Sequence, residues 1–138
     1  MKQIFKDTIN EFLYEEEKSF LRYNAIANDN NTEEEFKESI LKYTEFIKKY
    51  KPDYLLLNMQ DMHFLITPEL QIWFAGVSEK AKIEGEVKKL ALVLSTNFYA
   101  KLGLEQATEE QTTIKEKKNK WENKYFDDIE KAQAWLFE

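Results

Sequence analysis

The sequence contains no cysteine, one histidine (His63), three glycines and two prolines among its 138 residues. Without cysteine, the chain can form no disulfide, no thiolate nucleophile and no cysteine-based zinc site. A single histidine also excludes a site built on two histidines of one chain. Because glycine and proline are scarce, no linker-like stretch is visible, and we expect a single domain spanning residues 1–138. The lack of cysteine fits a reducing cytoplasm, where we expect the protein to reside.

Long apolar runs and a basic charge excess are also absent. No stretch approaches 18 uncharged apolar residues, so we expect no transmembrane segment, and residues 1–12 lack the apolar run of a signal peptide. The net charge of −6 disfavours nucleic acid as a partner, because phosphate backbones attract basic surfaces. The lysine-rich run 115–124 is short and contains glutamates, so we interpret it as a solvated surface.

The residues that are present indicate a globular chain. Hydrophobic residues make up 43% and charged residues 33%, a mixture typical of folded proteins that are not embedded in a membrane. Aromatic residues reach 14%, and each of them can bury a large area. We therefore expect a well-filled core, with some aromatic surface left for a partner.

The first part of the chain predicts a β-hairpin. Two runs with strand-like apolar residues, 8–14 and 19–26, are separated by the charged stretch 15–18. Strand-like runs joined by a short polar break are typical of two antiparallel strands.

A helix is predicted to begin at Thr32 and to end before Pro52. Thr32 and Glu35 form a capping box, in which each side chain accepts a hydrogen bond from the backbone N–H of the other residue. Apolar residues then recur at spacings of three and four, which indicates one buried stripe. The stripe comprises Phe36, Ile40, Tyr43, Ile47 and Tyr50.

Two apolar segments and the helix between them form the predicted centre of the fold. Residues 53–59 and 90–94 are short apolar runs, typical of strands buried on both faces. Between them, Thr67 and Pro68 predict a helix start, with threonine as the N-cap and proline in the first turn. We expect this helix to end at Gly85.

The remaining segments continue the alternation of helix and strand. We expect a short helix near residues 98–104, an edge strand at 121–126, and a last helix capped by Asp127 or Asp128. The order β-β-α-β-α-β-α-β-α predicts an α/β fold, because parallel strands need helical crossovers. We expect a mixed, mainly parallel five-stranded sheet with helices packed on it.

This order and three segments resemble STAS-type domains, named after sulphate transporters and anti-sigma factor antagonists. The segments are TEEEFKE at 32–38, KPDYLLLNMQDM at 51–62 and YFDDIEKAQAWL at 125–136. The resemblance is strongest to small stand-alone bacterial proteins of STAS-like fold that also resemble lipid-binding Sec14 domains. It covers most of the chain and implies a STAS-like fold with a regulatory role.

In anti-sigma factor antagonists, a partner kinase phosphorylates a serine in an Asp-Ser-Ser-Gly-type loop before a helix. The corresponding residues 61–68 contain Asp61 and Thr67 but no serine and no glycine. The phospho-acceptor motif of the family is therefore absent, and Thr67 is a candidate acceptor by position alone. A phosphate on Thr67 would lie at a helix N-terminus, where an anion is stabilised.

Polar residues follow two of the predicted parallel strands, where ligands of open α/β sheets tend to bind. The alternative interpretation is that they cap helices and satisfy loop backbone. The candidate residues are Asn58, Gln60, Asp61 and His63 after one strand and Ser95, Thr96 and Asn97 after the next.

Catalysis is the least favoured interpretation of this edge. Asp61 could orient the imidazole of His63 for acid–base chemistry, but no serine or cysteine nucleophile lies nearby in the sequence. No phosphate-binding glycine motif and no metalloprotease motif occurs either. We therefore expect a non-enzymatic protein without a cofactor or a metal.

Three consecutive large apolar residues, Ile72, Trp73 and Phe74, cannot all face one core, since neighbours on a helix diverge by about 100°. We expect one of them to be exposed or to lie at an interface, because tryptophan is enriched in binding hot spots. The alternative is that a neighbouring helix or the long loop covers it. The first hypothesis is a regulatory module, homodimeric, that binds a protein partner through residues 58–74. The alternative is a protein that binds a small apolar ligand or lipid. That pocket would be lined by Met62, Phe64, Trp73 and Phe74.

Overall fold

The computed structural model describes residues 1–28, 30–62, 67–94 and 121–138. In these ranges six strands form one sheet in the order β1-β2-β3-β4-β5-β6, accompanied by three helices. The strands are β1 (Lys2–Lys6), β2 (Asn10–Glu15), β3 (Phe20–Ala25), β4 (Tyr54–Met59), β5 (Lys89–Leu94) and β6 (Glu122–Phe126). The helices are α1 (Glu33–Tyr50), α2 (Pro68–Gly85) and α3 (Ile129–Leu136). The α/β class predicted from the sequence is therefore confirmed.

The sheet is mixed, as expected. β1, β2 and β3 pair antiparallel, whereas the β3–β4, β4–β5 and β5–β6 pairs are parallel. Leu55 lies opposite Leu90 and Leu57 opposite Leu92, so the two predicted apolar strands are neighbours at the centre of the sheet.

Two details of the predicted sheet are wrong. It has six strands instead of five, because β1 precedes the predicted hairpin, and only three of its five neighbouring pairs are parallel. In β1 the register shifts between Gln3 and Phe5, which places the adjacent residues Ile4 and Phe5 both against the core. A bulge of this kind interrupts the alternation by which a strand is recognised. The predicted helix at 98–104 lies outside the described residues.

The capping box at the start of α1 is confirmed. The backbone N–H of Glu35 donates to the Thr32 hydroxyl oxygen at 3.1 Å, and the N–H of Thr32 donates to the Glu35 carboxylate at 2.8 Å. The C-cap of α1 is Lys51, which adopts a left-handed conformation and donates its N–H to the Ile47 carbonyl oxygen. These local signals fix both ends of the helix that lies between β3 and β4.

The helices cover the two faces of the sheet unequally. α1 and α2 pack on one face, over a core that includes Phe12, Tyr23, Ile40, Leu55 and Leu57. α3 packs on the other face against β4, β5 and β6, where Ala132 and Leu136 are buried. The cluster under α3 also includes Phe20 at the start of β3, whose ring centroid lies 5.1 Å from that of Phe137, the residue after α3.

A polar network lies inside the larger core. The Tyr23 hydroxyl donates to the Asn10 Oδ1 at 2.7 Å, and the Asn10 Nδ2 donates to the Ser39 hydroxyl at 2.9 Å. Ser39 in turn donates to the Glu35 carbonyl oxygen at 3.0 Å. The network joins β2 and β3 to the first turns of α1, so it fixes how the helix sits on the sheet.

Candidate functional site

The candidate site lies where β4 ends and α2 begins, at the carboxyl ends of the parallel strands. Residues 58–62 leave the sheet there, and residues 67–74 form the N-cap and first turns of α2. In open α/β sheets this edge is the usual place for a ligand, because the strand ends and helix N-termini meet there.

Asn58 is used within the sheet. Its side chain is only 7% exposed, its Nδ2 donates to the Asn24 Oδ1 at 2.9 Å, and its Oδ1 accepts the Gln60 N–H at 3.1 Å. A buried side-chain amide whose nitrogen and oxygen both form hydrogen bonds stabilises the end of the strand. Asn58 therefore supports the site more than it offers groups to a ligand.

The bonds of Asn58 continue across the sheet as a polar row. Asn24 donates to the Glu11 carboxylate at 2.8 Å and accepts the Arg22 Nε–H at 3.0 Å. At the other end, the Gln60 Nε2 donates to the Asp127 carbonyl oxygen at 3.1 Å. Sequence reasoning missed Glu11, Arg22 and Asn24. A sequence signal for two of them was present in β3, where Arg22 and Asn24 alternate with Leu21, Tyr23 and Ala25.

The two other predicted residues of this edge that the structure describes, Asp61 and Thr67, are both exposed. The Thr67 hydroxyl oxygen accepts the Leu70 N–H at 3.2 Å, which confirms Thr67 as the N-cap of α2. Its modification by phosphate stays a prediction. His63, Ser95 and Thr96 lie outside the described residues.

The first turns of α2 carry apolar side chains on both their inner and outer sides. Trp73 and Phe74 are half-buried against the larger core, and the Lys37 Nζ lies 5.4 Å from the Trp73 ring centroid. Ile72 points the other way and is 74% exposed. Ala75 and Gly76, one turn later, are exposed as well. We call Ile72, Ala75 and Gly76 the outer face of α2.

Charged residues are nearly absent from this half of α2. Between Pro68 and Ser78 the helix contains one charged residue, Glu69, whereas its second half contains Glu79, Lys80, Lys82 and Glu84. An exposed helix face of a monomer normally carries charges. The outer face of α2 therefore has the composition of a contact surface.

A groove also lies between the turn after β1 and the first turns of α1. Its cavity volume is about 490 Å³. It is lined by Lys6, Asp7, Thr8, Ile9, Asn10, Glu35, Glu38, Ser39 and Lys42. The buried groups of its floor, Asn10 and Ser39, already bond to each other and to the core network. The lining is polar and carries charges of both signs.

The described ranges contain no group of three or more histidine, cysteine, aspartate or glutamate side chains that could hold a metal ion. Across the same ranges, no helix has the length and apolar character needed to cross a membrane.

Fold and site together define an α/β protein with a mixed six-stranded sheet and an apolar outer helix face beside the strand ends. Comparison of the chain with protein-family models, with curated proteins and with solved structures finds no match.

Proposed function

We propose that this chain is a non-catalytic interaction module of STAS-like fold that binds a protein partner through residues 58–74. The observation that carries the proposal is the outer face of α2, where Ile72 is 74% exposed on a helix half with a single charge. An exposed branched apolar side chain flanked by small residues is suited to a hydrophobic contact with another protein.

The rigidity of this surface also supports the proposal. Behind Ile72, the half-buried Trp73 and Phe74 pack into the core, and Phe74 lies near Phe36 of α1 with ring centroids 6.4 Å apart. A surface anchored in this way loses little conformational entropy when it binds.

The alternative function, binding of a small apolar ligand or lipid, has less support. The groove of about 490 Å³ is lined by charged and polar side chains, whereas such ligands bind in mostly apolar pockets. Of the residues expected to line an apolar pocket, Met62, Trp73 and Phe74 pack against the core, and Phe64 lies outside the described residues.

A photo-crosslinking amino acid at position 72 tests the proposal in cells of the source organism. We expect a covalent adduct with one partner protein, and the same group at the exposed Lys80 of α2 should give none. With the purified partner, Ile72→Glu should weaken binding at least tenfold, since it would desolvate a charge in an apolar contact. An adduct with a second copy of the chain would identify self-association. Equal labelling from positions 72 and 80, or no adduct from position 72, would refute the proposal.

A further inference from the structure

Two buried polar groups without hydrogen-bond partners belong to residues two positions apart at the start of β6. Trp121, the residue before β6, is 5% exposed, and its Nε1 makes no hydrogen bond. The Oδ1 of Asn123 is also buried without a partner. Residues two apart on an extended chain face the same side. Because Asn123 lies opposite Leu90, which belongs to the core under α1 and α2, both side chains lie on the α2 side of the sheet.

A buried cation lies over the ring of Trp121. Lys82, near the end of α2, is 4% exposed, and its Nζ lies 5.0 Å from the centroid of the Trp121 ring. No carboxylate of the described residues lies within salt-bridge distance of this nitrogen. Glu79, one turn earlier on α2, acts on Lys82 only at longer range. Burial lowers the pKa of Lys82 to about 8, so the amine is still mostly protonated at neutral pH.

Buried polar groups without partners reduce the stability of a folded protein. A buried donor or acceptor without a partner lowers the stability of the folded protein, and a buried charge without a nearby counter-charge lowers it more. Apart from the Tyr43 hydroxyl, the Trp121 and Asn123 atoms are the buried side-chain polar atoms without partners in the described ranges. Trp121 lies beside an ammonium group that has no carboxylate of the described residues within salt-bridge distance, so a bound anion could satisfy these groups together.

We propose that the corner formed by Lys82, Trp121 and Asn123 binds a small carboxylate. One carboxylate oxygen would accept from the Lys82 ammonium and the other from the Trp121 indole N–H, each at about 2.8 Å. Rotation of the Asn123 amide by 180° would present its Nδ2 as a third donor. The carboxylate supplies a negative charge at hydrogen-bond distance, which no described carboxylate provides. The corner lies at the amino ends of the parallel strands, away from residues 58–74, so it is independent of the partner surface.

Acetate is the probe, and the indole N–H signals in a two-dimensional NMR spectrum are the first readout. The chain has three tryptophans, so three indole signals are expected. The Trp121 signal is the one that disappears in Trp121→Phe, which keeps an aromatic ring and removes the donor. We expect this signal alone to move during an acetate titration and to reach saturation. If none of the three signals moves, or all move alike without saturation, the proposal is wrong.

The second readout is stability against urea at constant ionic strength, with sodium chloride replaced stepwise by sodium acetate. We expect a saturable increase for the natural protein and for Lys80→Met, a matched control at an exposed lysine of the same helix. Lys82→Met and Trp121→Phe should weaken the apparent acetate affinity at least tenfold. An acetate effect of the same size in Lys82→Met contradicts a bound carboxylate at this corner. Saturation by phosphate but not by acetate or formate would contradict the carboxylate class.

Discussion

Tyr23 and Tyr43 lie side by side in the core, with ring centroids 5.2 Å apart, but their hydroxyl groups differ in their surroundings. The Tyr23 hydroxyl donates to the Asn10 Oδ1 at 2.7 Å. The Tyr43 hydroxyl is buried without a hydrogen bond; Ser78 of α2 lies near it but does not reach hydrogen-bond geometry. Two residues of one type and equal burial thus separate the effect of a hydrogen bond from the effect of packing.

Tyr23→Phe should destabilise the protein by about 1–3 kcal/mol, because it leaves the Asn10 Oδ1 buried without its donor. Tyr43→Phe should be neutral or slightly stabilising, since it removes a buried hydroxyl that has no partner. Urea unfolding of both variants measures the difference. Equal losses in the two variants would show that the hydrogen-bonded Tyr23 hydroxyl contributes no more to stability than the Tyr43 hydroxyl.

The charge of Lys82 has a separate consequence at the residue scale. A buried ammonium group with no carboxylate of the described residues within salt-bridge distance destabilises the fold, and an apolar side chain of similar length would not. In chloride buffer at pH 7, Lys82→Met should therefore be more stable than the natural protein by about 1–4 kcal/mol. A less stable Lys82→Met protein would show that the contact of the ammonium group with the Trp121 ring outweighs the cost of its burial.

At the scale of elements, α1 and α2 pack closely against each other at Gly85. A Cβ atom on Gly85 would lie 2.7 Å from the Ile47 Cγ2 and 3.0 Å from the Ile47 carbonyl oxygen. The left-handed residue that ends α2 is Glu86, with φ of 58°. Gly85 was predicted as the helix end and does end α2, but the close packing of the two helices is what requires a glycine there.

Gly85→Ala should destabilise the protein by about 1–3 kcal/mol, because a methyl group at this position overpacks the contact with Ile47. Gly76, in the same helix, has open space where its Cβ would lie, so Gly76→Ala is the matched control. We expect Gly76→Ala to stabilise the protein by about 0.5–1 kcal/mol through helix propensity. If both alanine variants gain stability, the helices can separate at Gly85 without cost.

The polar row links β2, β3 and β4 through hydrogen bonds between their side chains. Asn24 makes three of its bonds, to Glu11, Arg22 and Asn58. Asn24→Ala should cost about 1–3 kcal/mol, because the buried Asn58 amide loses its acceptor. Gln60→Ala removes one bond at the end of the row and should cost less than about 0.5 kcal/mol. Comparable losses in the two variants would show that Asn24 contributes no more to stability than Gln60 at the end of the row.

The sequence predicts elements well where local signals are strong. Thr32, Thr67 and Asp128 were expected as N-caps or cap candidates, and each accepts a backbone N–H three residues later. β1 was missed because its bulge breaks the alternation and its ends are lysines. The partners of Asn58 and of Lys82 lie 34 and 39 positions away in the sequence, at Asn24 and Trp121. Contacts of that range depend on strand order, which no local pattern contains.

At the scale of the whole molecule, three buried groups make the free energy of unfolding change with pH in the alkaline range. Burial raises the pKa of Tyr23 and of Tyr43 and lowers the pKa of Lys82 to about 8. Above about pH 10 the tyrosines ionise only in the unfolded chain, so their contribution to stability falls as the pH rises. Lys82 acts in the opposite direction. Between about pH 8 and 10.5 the unfolded chain retains a proton that the folded protein releases, so this group makes stability rise with pH.

The difference between the natural protein and Lys82→Met isolates the lysine, because both proteins contain the two tyrosines and the tyrosine contributions cancel. In chloride buffer, the free energy of unfolding of the natural protein minus that of the variant should be constant up to about pH 7.5. It should then rise by up to about 3 kcal/mol towards pH 10.5, since each pKa unit corresponds to about 1.4 kcal/mol. Urea unfolding at half-unit pH intervals gives this curve. A constant difference across the range would mean that Lys82 keeps an ordinary pKa in the folded protein. Acetate at a saturating concentration should move the rise to higher pH, because a bound carboxylate favours the protonated amine.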